Sequence, residues 1–161
     1  MAALIREAEL RDAPAISELW NALIRDTTGT FTTVEKSHED ITMLIRDRSG
    51  SFLVAGGDHV QGFVTWGQFR SGPGYAGTVE HSVIVGKSGQ GMGRALMLAA
   101  QDAVIQQGIH VMIAAISGEN PNAVAFHTAM GFEKVGHLPQ VGQKSGRWLD
   151  LILMQKSLIA P

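Results

Sequence analysis

The chain has 161 residues, of which 45% are hydrophobic and 17% charged, and this length fits one domain spanning residues 1–161. It contains no cysteine, which excludes thiolate catalysis, cysteine zinc sites and disulfides and fits a reducing, cytoplasmic compartment. The formal net charge of -2 offers no basic field for nucleic acid and no polybasic run for a membrane surface. No apolar stretch approaches the roughly 20 residues of a membrane span, and Arg6 and Glu7 interrupt any signal peptide.

The N-terminal part of the chain predicts one short strand followed by two helices. Residues 3–8 have strand character, and Asp12 is a candidate N-cap for an amphipathic helix. The Thr-rich segment 25–33 is broken by glycine and predicts a loop. Ser37 and Asp40 then have the spacing of a capping box, so a second amphipathic helix should begin there.

The middle of the chain changes to strand periodicity. Segments 51–55, 60–69 and 76–85 are rich in β-branched and aromatic residues and predict three strands. A Gly-Gly-Asp sequence separates the first two, which favours an antiparallel hairpin.

The C-terminal half predicts two further helices and three strands. Helical spacing covers residues 94–107, and an apolar strand follows at 110–116. Asn120 before a proline is a strong N-cap for a last helix. Strands at 132–138 and 148–155 end the chain, joined by the polar segment 141–147.

The resulting order, β-α-α-β-β-β-α-β-α-β-β, predicts an α+β fold with a mixed sheet. The helix at 94–107 connects two strands of one sheet. Such crossovers join parallel strands, so segments 76–85 and 110–116 should lie parallel.

A glycine cluster, Gly86, Gly89, Gly91 and Gly93, lies between a predicted strand and a predicted helix. Such a turn directs backbone N–H groups into one concavity beside the positive end of a helix, where a phosphate can bind. A tight turn that needs positive φ angles explains the glycines equally well. The spacing matches neither a P-loop, which would need a glycine at His81, nor a dinucleotide-binding fingerprint, whose third glycine is missing.

A glycine pair opening the helix after the fourth strand resembles the acetyl-CoA pyrophosphate loop of the GNAT superfamily of N-acetyltransferases, Gln/Arg-x-x-Gly-x-Gly/Ala. Segments 78–85 (TVEHSVIV), 116–132 (ISGENPNAVAFHTAMGF) and 141–155 (VGQKSGRWLDLILMQ) resemble its phosphinothricin and methionine sulfoximine acetyltransferase branch. The resemblance implies the GNAT fold and N-acetylation. Ser88 stands where the family has Gln or Arg, and the turn is shorter than usual, so we expect an altered pyrophosphate contact.

The same resemblance implies acetyl-CoA as co-substrate and assigns residues to it. The backbone of Val83, Ile84 and Val85 is expected to meet the pantetheine arm and the thioester carbonyl, as is Asn120, which is alternatively only a helix cap. The pyrophosphate loop would comprise Lys87, Ser88, Gly89, Gln90, Gly91, Met92, Gly93 and Arg94.

Two side chains are candidates for the chemistry. Glu80 lies in an apolar strand before the cofactor turn, where burial would raise its pKa and suit it to deprotonate an amine; a solvated or ion-paired glutamate is the alternative. His127 stands where many GNAT enzymes have a tyrosine thought to protonate the leaving thiolate, although it could be an ordinary helix histidine. His81 falls on the other strand face from Glu80 and is expected to be structural.

The acceptor implied by the family is an amino acid with a tetrahedral side-chain group, such as methionine sulfoximine, methionine sulfone or phosphinothricin. Arg70 matches a family position and suits a carboxylate or phosphinate. Four further residues could line the pocket or equally serve core or interface packing: Phe31, Trp66, Lys144 and Trp148. The six histidines show no metal-binding spacing, so no metal is expected.

These expectations describe direct acetyl transfer in a ternary complex, since no cysteine is available to carry the acetyl group. One alternative is acetylation of another amine, such as a different amino acid or a polyamine. Another is an acyl-CoA-binding module without turnover. The family usually forms homodimers, and the apolar run 149–154 could serve as interface or as core.

Overall fold

The computed structural model describes residues 3–158, and the ends of the predicted domain, residues 1–2 and 159–161, lie outside them. The strands are β1 (Ile5–Glu7), β2 (Phe52–Ala55), β3 (Gly62–Gln68), β4 (Thr78–Val85), β5 (Val111–Ser117), β6 (Glu133–Lys144) and β7 (Arg147–Ser157). The helices are α1 (Ala13–Asp26), α2 (His38–Asp47), α3 (Met92–Gln106) and α4 (Pro121–Ala129). This succession confirms the predicted α+β class and element order, with two short 3₁₀ turns added.

All seven strands form one mixed sheet in the order β1-β2-β3-β4-β5-β7-β6. Strands β1 to β4 are antiparallel neighbours, whereas β4 and β5 are parallel, as the crossover through α3 predicts. Strand β7 lies between β5 and β6 and is antiparallel to both. The predicted hairpin of β2 and β3 is confirmed.

Each face of the sheet is covered by helices. One buried cluster, including Val64, Leu96 and Met154, packs the sheet against α3 and α4. A second, including Ile16, Ile41 and Phe63, packs the other face against α1 and α2. Successive residues of a strand point to opposite faces, so β4 presents its odd-numbered residues to α3 and α4 and its even-numbered residues to α1 and α2. None of the helices within residues 3–158 is long and apolar enough to cross a membrane.

The predicted capping box begins α2. The Asp40 N–H donates to Ser37 Oγ at 3.0 Å, and the Ser37 N–H donates to Asp40 Oδ2 at 2.8 Å. Asp12, in contrast, does not cap α1 with its side chain. Its carboxylate instead accepts from the Arg6 guanidinium, at 2.8 and 2.9 Å, and from the Glu9 N–H at 2.7 Å.

The connection between the last two strands is shorter than predicted. Residues 141–144 and Arg147 belong to the strands, so the turn consists of Ser145 and Gly146 alone. Their φ angles of 53° and 73° are those of a two-residue hairpin turn with positive φ at both positions. The polar composition of 141–147, with two glycines, is typical of loops, but pairing between β6 and β7 overrides this tendency.

Candidate active site

A cleft of about 530 Å³ opens where the sheet divides. Strands β4 and β5 are paired only at Thr78, Val79 and Glu80, opposite Val111, Met112 and Ile113. Beyond that point β4 continues beside β3 and β5 beside β7, so the two strands part. Residues 80–85 of β4 and 114–117 of β5 form the walls, with 29–32 of the α1–α2 loop and part of α4.

The parting leaves two strand edges facing each other across the cleft. Along an edge strand, alternate residues direct their N–H and C=O groups away from the paired neighbour. An extended ligand with amide groups can therefore add to such an edge as another strand would. Val83, Ile84 and Val85, predicted to meet the pantetheine arm, lie on the β4 wall.

The glycine cluster forms the turn from β4 into α3, next to this wall. Gly89 and Gly91 have φ angles of 83° and 75°, which confirms the need for positive φ. Gly91 is the N-cap of α3 and offers no side chain, so the first helical N–H groups remain uncapped, as anion binding requires. The geometry of the cluster is thus compatible with both a phosphate-binding turn and a tight turn that needs positive φ.

The predicted pyrophosphate residues divide by exposure. Lys87, Ser88 and Gln90 are exposed, as an anion-binding turn requires, and Arg94 is exposed with its Nη1 4.0 Å from Met130 Sδ. The side chain of Met92 is buried in the core, so only its backbone can serve the predicted contact.

Glu80 lies at the last paired position of β4 and lines the cleft. Its side chain reaches solvent, yet the protein atoms around the carboxyl group raise its pKa, and the positive charge of Arg48 opposes that shift. Carboxylates with raised pKa accept protons more readily. The placement therefore suits the predicted base.

His81 and His127 form a buried pair on the opposite face of β4. Their Nε2 atoms lie 3.0 Å apart, and His127 Nδ1 lies 2.8 Å from the Ala123 carbonyl oxygen. A carbonyl only accepts, so neutral His127 carries its proton on Nδ1 and accepts at Nε2 from His81. His81 Nδ1 is then the unprotonated atom, and it is buried without a hydrogen-bond partner.

His127 also lines the cleft, and its acid role stays a prediction. With the proton of the neutral ring on Nδ1, directed to the helix carbonyl, only a protonated ring could give a proton to a thiolate through Nε2. Burial lowers the pKa of His127, which keeps the ring neutral. The structural role predicted for His81 agrees with its burial, at 5% exposure.

The histidine pair should make the fold acid-labile. Burial, and next the charge of His127, lower the pKa of His81 from 6.5 to about 3, while the Ile113 backbone opposes this shift. The folded state therefore favours neutral His81, and its contribution is complete above pH 6.5 and is lost as pH falls toward 3. Below about pH 6.5 we expect the free energy of unfolding to fall by about 1.4 kcal/mol per pH unit from this group.

Denaturant unfolding between pH 4.5 and 7.5 checks this expectation. The slope of unfolding free energy against pH should flatten in a His81→Leu variant, whatever its absolute stability. The matched control is His59→Gln, which removes an exposed histidine and should keep the wild-type slope. Equal slopes in wild type and His81→Leu would contradict the assignment.

Asn120 caps α4 as predicted, and its place on the cleft wall is compatible with the predicted cofactor contact. Its Oδ1 accepts from the Ala123 N–H at 3.1 Å and caps α4, while the residue also lines the cleft. The cap uses only the oxygen, so the Nδ2 group is left to donate to a ligand.

Lys144 does not line the cleft, so the predicted substrate contact is wrong. Its side chain is only 6% exposed, and Nζ donates to the carbonyls of Ile24, Thr27 and Thr30 at 2.8, 2.7 and 2.8 Å. Three acceptors occupy all three N–H groups of an ammonium. Lys144 instead ties the start of the α1–α2 loop to β6.

Phe31 does line the cleft, on that same loop. Its ring occupies the space above Gly142 that a Cβ would need, so this glycine permits the close approach. Thr28 Oγ1 also donates to Glu119 Oε1 at 2.8 Å, and Arg147 binds both oxygens of Glu119. The β6–β7 hairpin therefore holds the loop that forms one wall.

Three other candidates lie away from the cleft of this chain. Arg70 is exposed beyond β3, with its guanidinium carbon 5.8 Å from the Tyr75 ring centre. Trp66 is buried on the α3 face and donates to Gln107 Oε1 at 3.1 Å. Trp148 is 61% exposed and does not line the cleft. The burial of Trp66 agrees with its packing alternative. The substrate contact of Arg70 stays a prediction.

Sequence reasoning missed Arg48 and the polar cleft residues Ser82 and Ser117. Arg48 belongs to no motif, and only tertiary packing brings it near Glu80. Among the described residues, no three His, Cys, Asp or Glu side chains come together as a metal site.

A mixed sheet that divides between two parallel strands, beside a glycine-rich helix start, is the architecture expected of the GNAT acetyltransferases. The family described as Acetyltransferase (GNAT) domain matches residues 5–153, so the chain belongs to this family. It is 39% identical to the L-methionine sulfoximine/L-methionine sulfone acetyltransferase of Pseudomonas aeruginosa, over 98% of this chain and 96% of that protein.

Two solved structures are similar throughout. A putative acetyltransferase from Salmonella typhimurium, solved with its cofactor acetyl-CoA, has a TM-score of 0.95 and 34% identity, covering 100% of this chain and 96% of that one. A phosphinothricin acetyltransferase from Sinorhizobium meliloti in complex with AcCoA has a TM-score of 0.92 and 29% identity, covering 98% of this chain and 89% of that one. The predicted family and fold are thereby confirmed.

Proposed function

We propose that this protein transfers acetyl from acetyl-CoA to the α-amine of a small amino acid such as methionine sulfoximine, methionine sulfone or phosphinothricin. One observation carries the proposal: a carboxylate with raised pKa, Glu80, stands where the sheet divides, in the same cleft as two unpaired strand edges. The strand edges can form hydrogen bonds with an extended, amide-bearing arm, and the carboxylate can accept a proton from an amine.

The residues of the cleft fit the co-substrate. Backbone groups of β4 would hold the pantetheine amides and the thioester carbonyl, and Asn120 Nδ2 would add a donor. The uncapped start of α3 with Lys87 would take the pyrophosphate. Acetyl-CoA supplies the activated acetyl group.

Glu80 supplies the proton acceptor for a direct transfer. An α-ammonium group has a pKa of about 8 and must lose a proton before it can attack. Glu80 takes that proton, directly or through water, while the amine nitrogen bonds to the carbonyl carbon and the carbon–sulfur bond breaks. Backbone N–H groups of β4 stabilise the developing oxyanion. The nitrogen loses its second proton to water as the amide forms, and the departing thiolate takes up a proton from His127 or from water.

Release of free CoA from acetyl-CoA tests the proposal. The panel contains methionine sulfoximine, methionine sulfone, phosphinothricin, unmodified methionine and a polyamine. We expect the highest kcat/KM with one of the first three. Release only with the polyamine would favour the rival acceptor class. Binding of acetyl-CoA without release for any amine would leave a non-catalytic module.

We further propose that the chain works as a single domain, in the cytoplasm, and as a homodimer. One sheet runs through all seven strands, and the chain has no cysteine. Val135, Val141 and Trp148 are exposed apolar side chains on the β6–β7 hairpin that a second copy would cover. Within the apolar run 149–154, Leu149 and Met154 are already buried in the core.

A further inference from the structure

Arg48 places a positive charge on the face of the sheet that carries Glu80. It is the C-cap residue of α2 and reaches over β3, where its Nη1 donates to Thr65 Oγ1 at 3.2 Å. A Cβ on Gly67 would lie 3.0 Å from Arg48 Nη2. The missing side chain of Gly67 is what lets the guanidinium lie against the strand.

Gly67 is the residue paired with Glu80 across β3 and β4. Directly opposed residues of antiparallel strands have Cβ positions about 4.5–5.5 Å apart on the same face. The guanidinium therefore lies near the Cβ end of the Glu80 side chain. No salt bridge within 4.0 Å joins them, and within residues 3–158 Arg48 has none with any other carboxylate.

An unpaired cation in this position calls for an explanation. Arg48 is partly buried, and burial lowers its pKa, which means that the fold holds the charge at a cost. A neutral side chain of similar length would accept the same packing and could still bind Thr65. What the guanidinium adds is its charge.

The surroundings of Glu80 contain no competing charge among the described residues. Strand β3 presents Gly67, and β5 presents Ile113. The nearby part of the α1–α2 loop, residues 29–32, carries no ionisable group. Arg48 is thus the charged group that acts on this carboxyl group, against the effect of burial.

We propose that Arg48 is a positioning residue for the transfer reaction, keeping Glu80 ionised in the cleft and favouring the neutral form of an amine bound beside it. The inference rests on the proposed role of Glu80 as the base. Burial alone would leave a larger share of Glu80 protonated and unable to accept a proton. The same positive charge disfavours an ammonium group, so a bound amine loses its proton more readily.

A titration of the Glu80 carboxyl carbon by ¹³C NMR measures the effect without turnover. The signal is assigned by its loss in Glu80→Gln. In Arg48→Gln we expect the Glu80 pKa to rise by about one unit, the low end of the effect of a nearby opposite charge. In Arg48→Lys the Glu80 pKa should lie close to its wild-type value. The matched control is Arg46→Gln, which removes an exposed charge from the same helix and should shift it little.

Gly67→Ala tests the same contact from the other side. Its backbone needs no positive φ, so the added methyl group mainly displaces the guanidinium while both charges remain. We expect a smaller rise of the Glu80 pKa in the same direction. The kcat–pH profile with acetyl-CoA and methionine sulfone should shift its acidic limb upward in both variants, while the KM for acetyl-CoA stays unchanged.

The outcomes separate this inference from the proposed function. If Glu80→Gln is inactive but the Glu80 pKa is the same in wild type and Arg48→Gln, Arg48 has only a packing role. If Glu80→Gln retains turnover, the base assignment fails, whereas the titration still shows whether Arg48 controls the charge of Glu80. A uniform loss of activity at every pH with an unshifted titration would also overturn the inference.

Discussion

Replacement of Glu80 by glutamine is expected to lower kcat by about two to four orders of magnitude, the usual contribution of a positioned general base. Glutamine keeps the shape of the side chain and its place where β4 and β5 part, so binding of acetyl-CoA should change little. The measurement is initial-rate CoA release with the best acceptor of the panel. Glu39→Gln, which neutralises an exposed carboxylate of α2, is the matched control and should keep wild-type rates.

The pH dependence gives this experiment a second readout. Without a base, the variant depends on amine that has already lost its proton, so its activity should climb toward the amine pKa of about 8. The wild type should reach its plateau at lower pH. Near-normal turnover of Glu80→Gln at pH 7 would show that Glu80 is not the base. Glu80 would then have only a binding role in the cleft.

Lys144→Met is expected to raise the acceptor KM at least tenfold and to destabilise the fold. The carbonyls of Ile24 in α1 and of Thr27 and Thr30 in the loop lose a charged donor. Each such hydrogen bond contributes about 1.5–3 kcal/mol before desolvation of the ammonium is deducted. We expect a net loss of about 2–4 kcal/mol in unfolding free energy. The KM for acetyl-CoA should stay within about twofold, since strands β4 and β5 do not depend on this loop.

Steady-state kinetics with each substrate varied in turn, together with denaturant unfolding, checks both parts. Lys134→Met is the control, because Lys134 is an exposed lysine of the same strand. Lys144→Arg should recover part of the stability. If the acceptor KM is unchanged in Lys144→Met, the loop is positioned by its other contacts, those of Phe31 and Thr28.

Local patterns account for most of what the sequence predicted. The capping box at Ser37 and the N-cap at Asn120 involve neighbours within three residues, and both form as expected. The order of strands and helices follows from hydrophobic periodicity, which each segment carries by itself. The motif TVEHSVIV likewise placed Glu80 on the cleft wall, since a single strand determines which residues share its edge.

The errors concern contacts between distant segments. Lys144 meets carbonyls more than 110 residues earlier, so nothing in its own segment distinguishes a loop anchor from a substrate ligand. Nothing near His127 in the sequence shows that His81, 46 residues away, lies against its Nε2. The placement of Arg70 also depends on where the chain turns after β3, which its local motif does not determine, so its substrate contact stays a prediction.

The divided sheet has one more consequence. Two unpaired strand edges inside a sheet are as open to further β-pairing as edges at its margin, and proteins generally protect such edges from aggregation. Under the proposed function, the bound arm of acetyl-CoA occupies this site and acts as a substitute strand. A ligand at a hundred times its Kd stabilises a fold by about 2.7 kcal/mol. The cellular acetyl-CoA concentration would then influence how long the protein stays folded, as well as how fast it works.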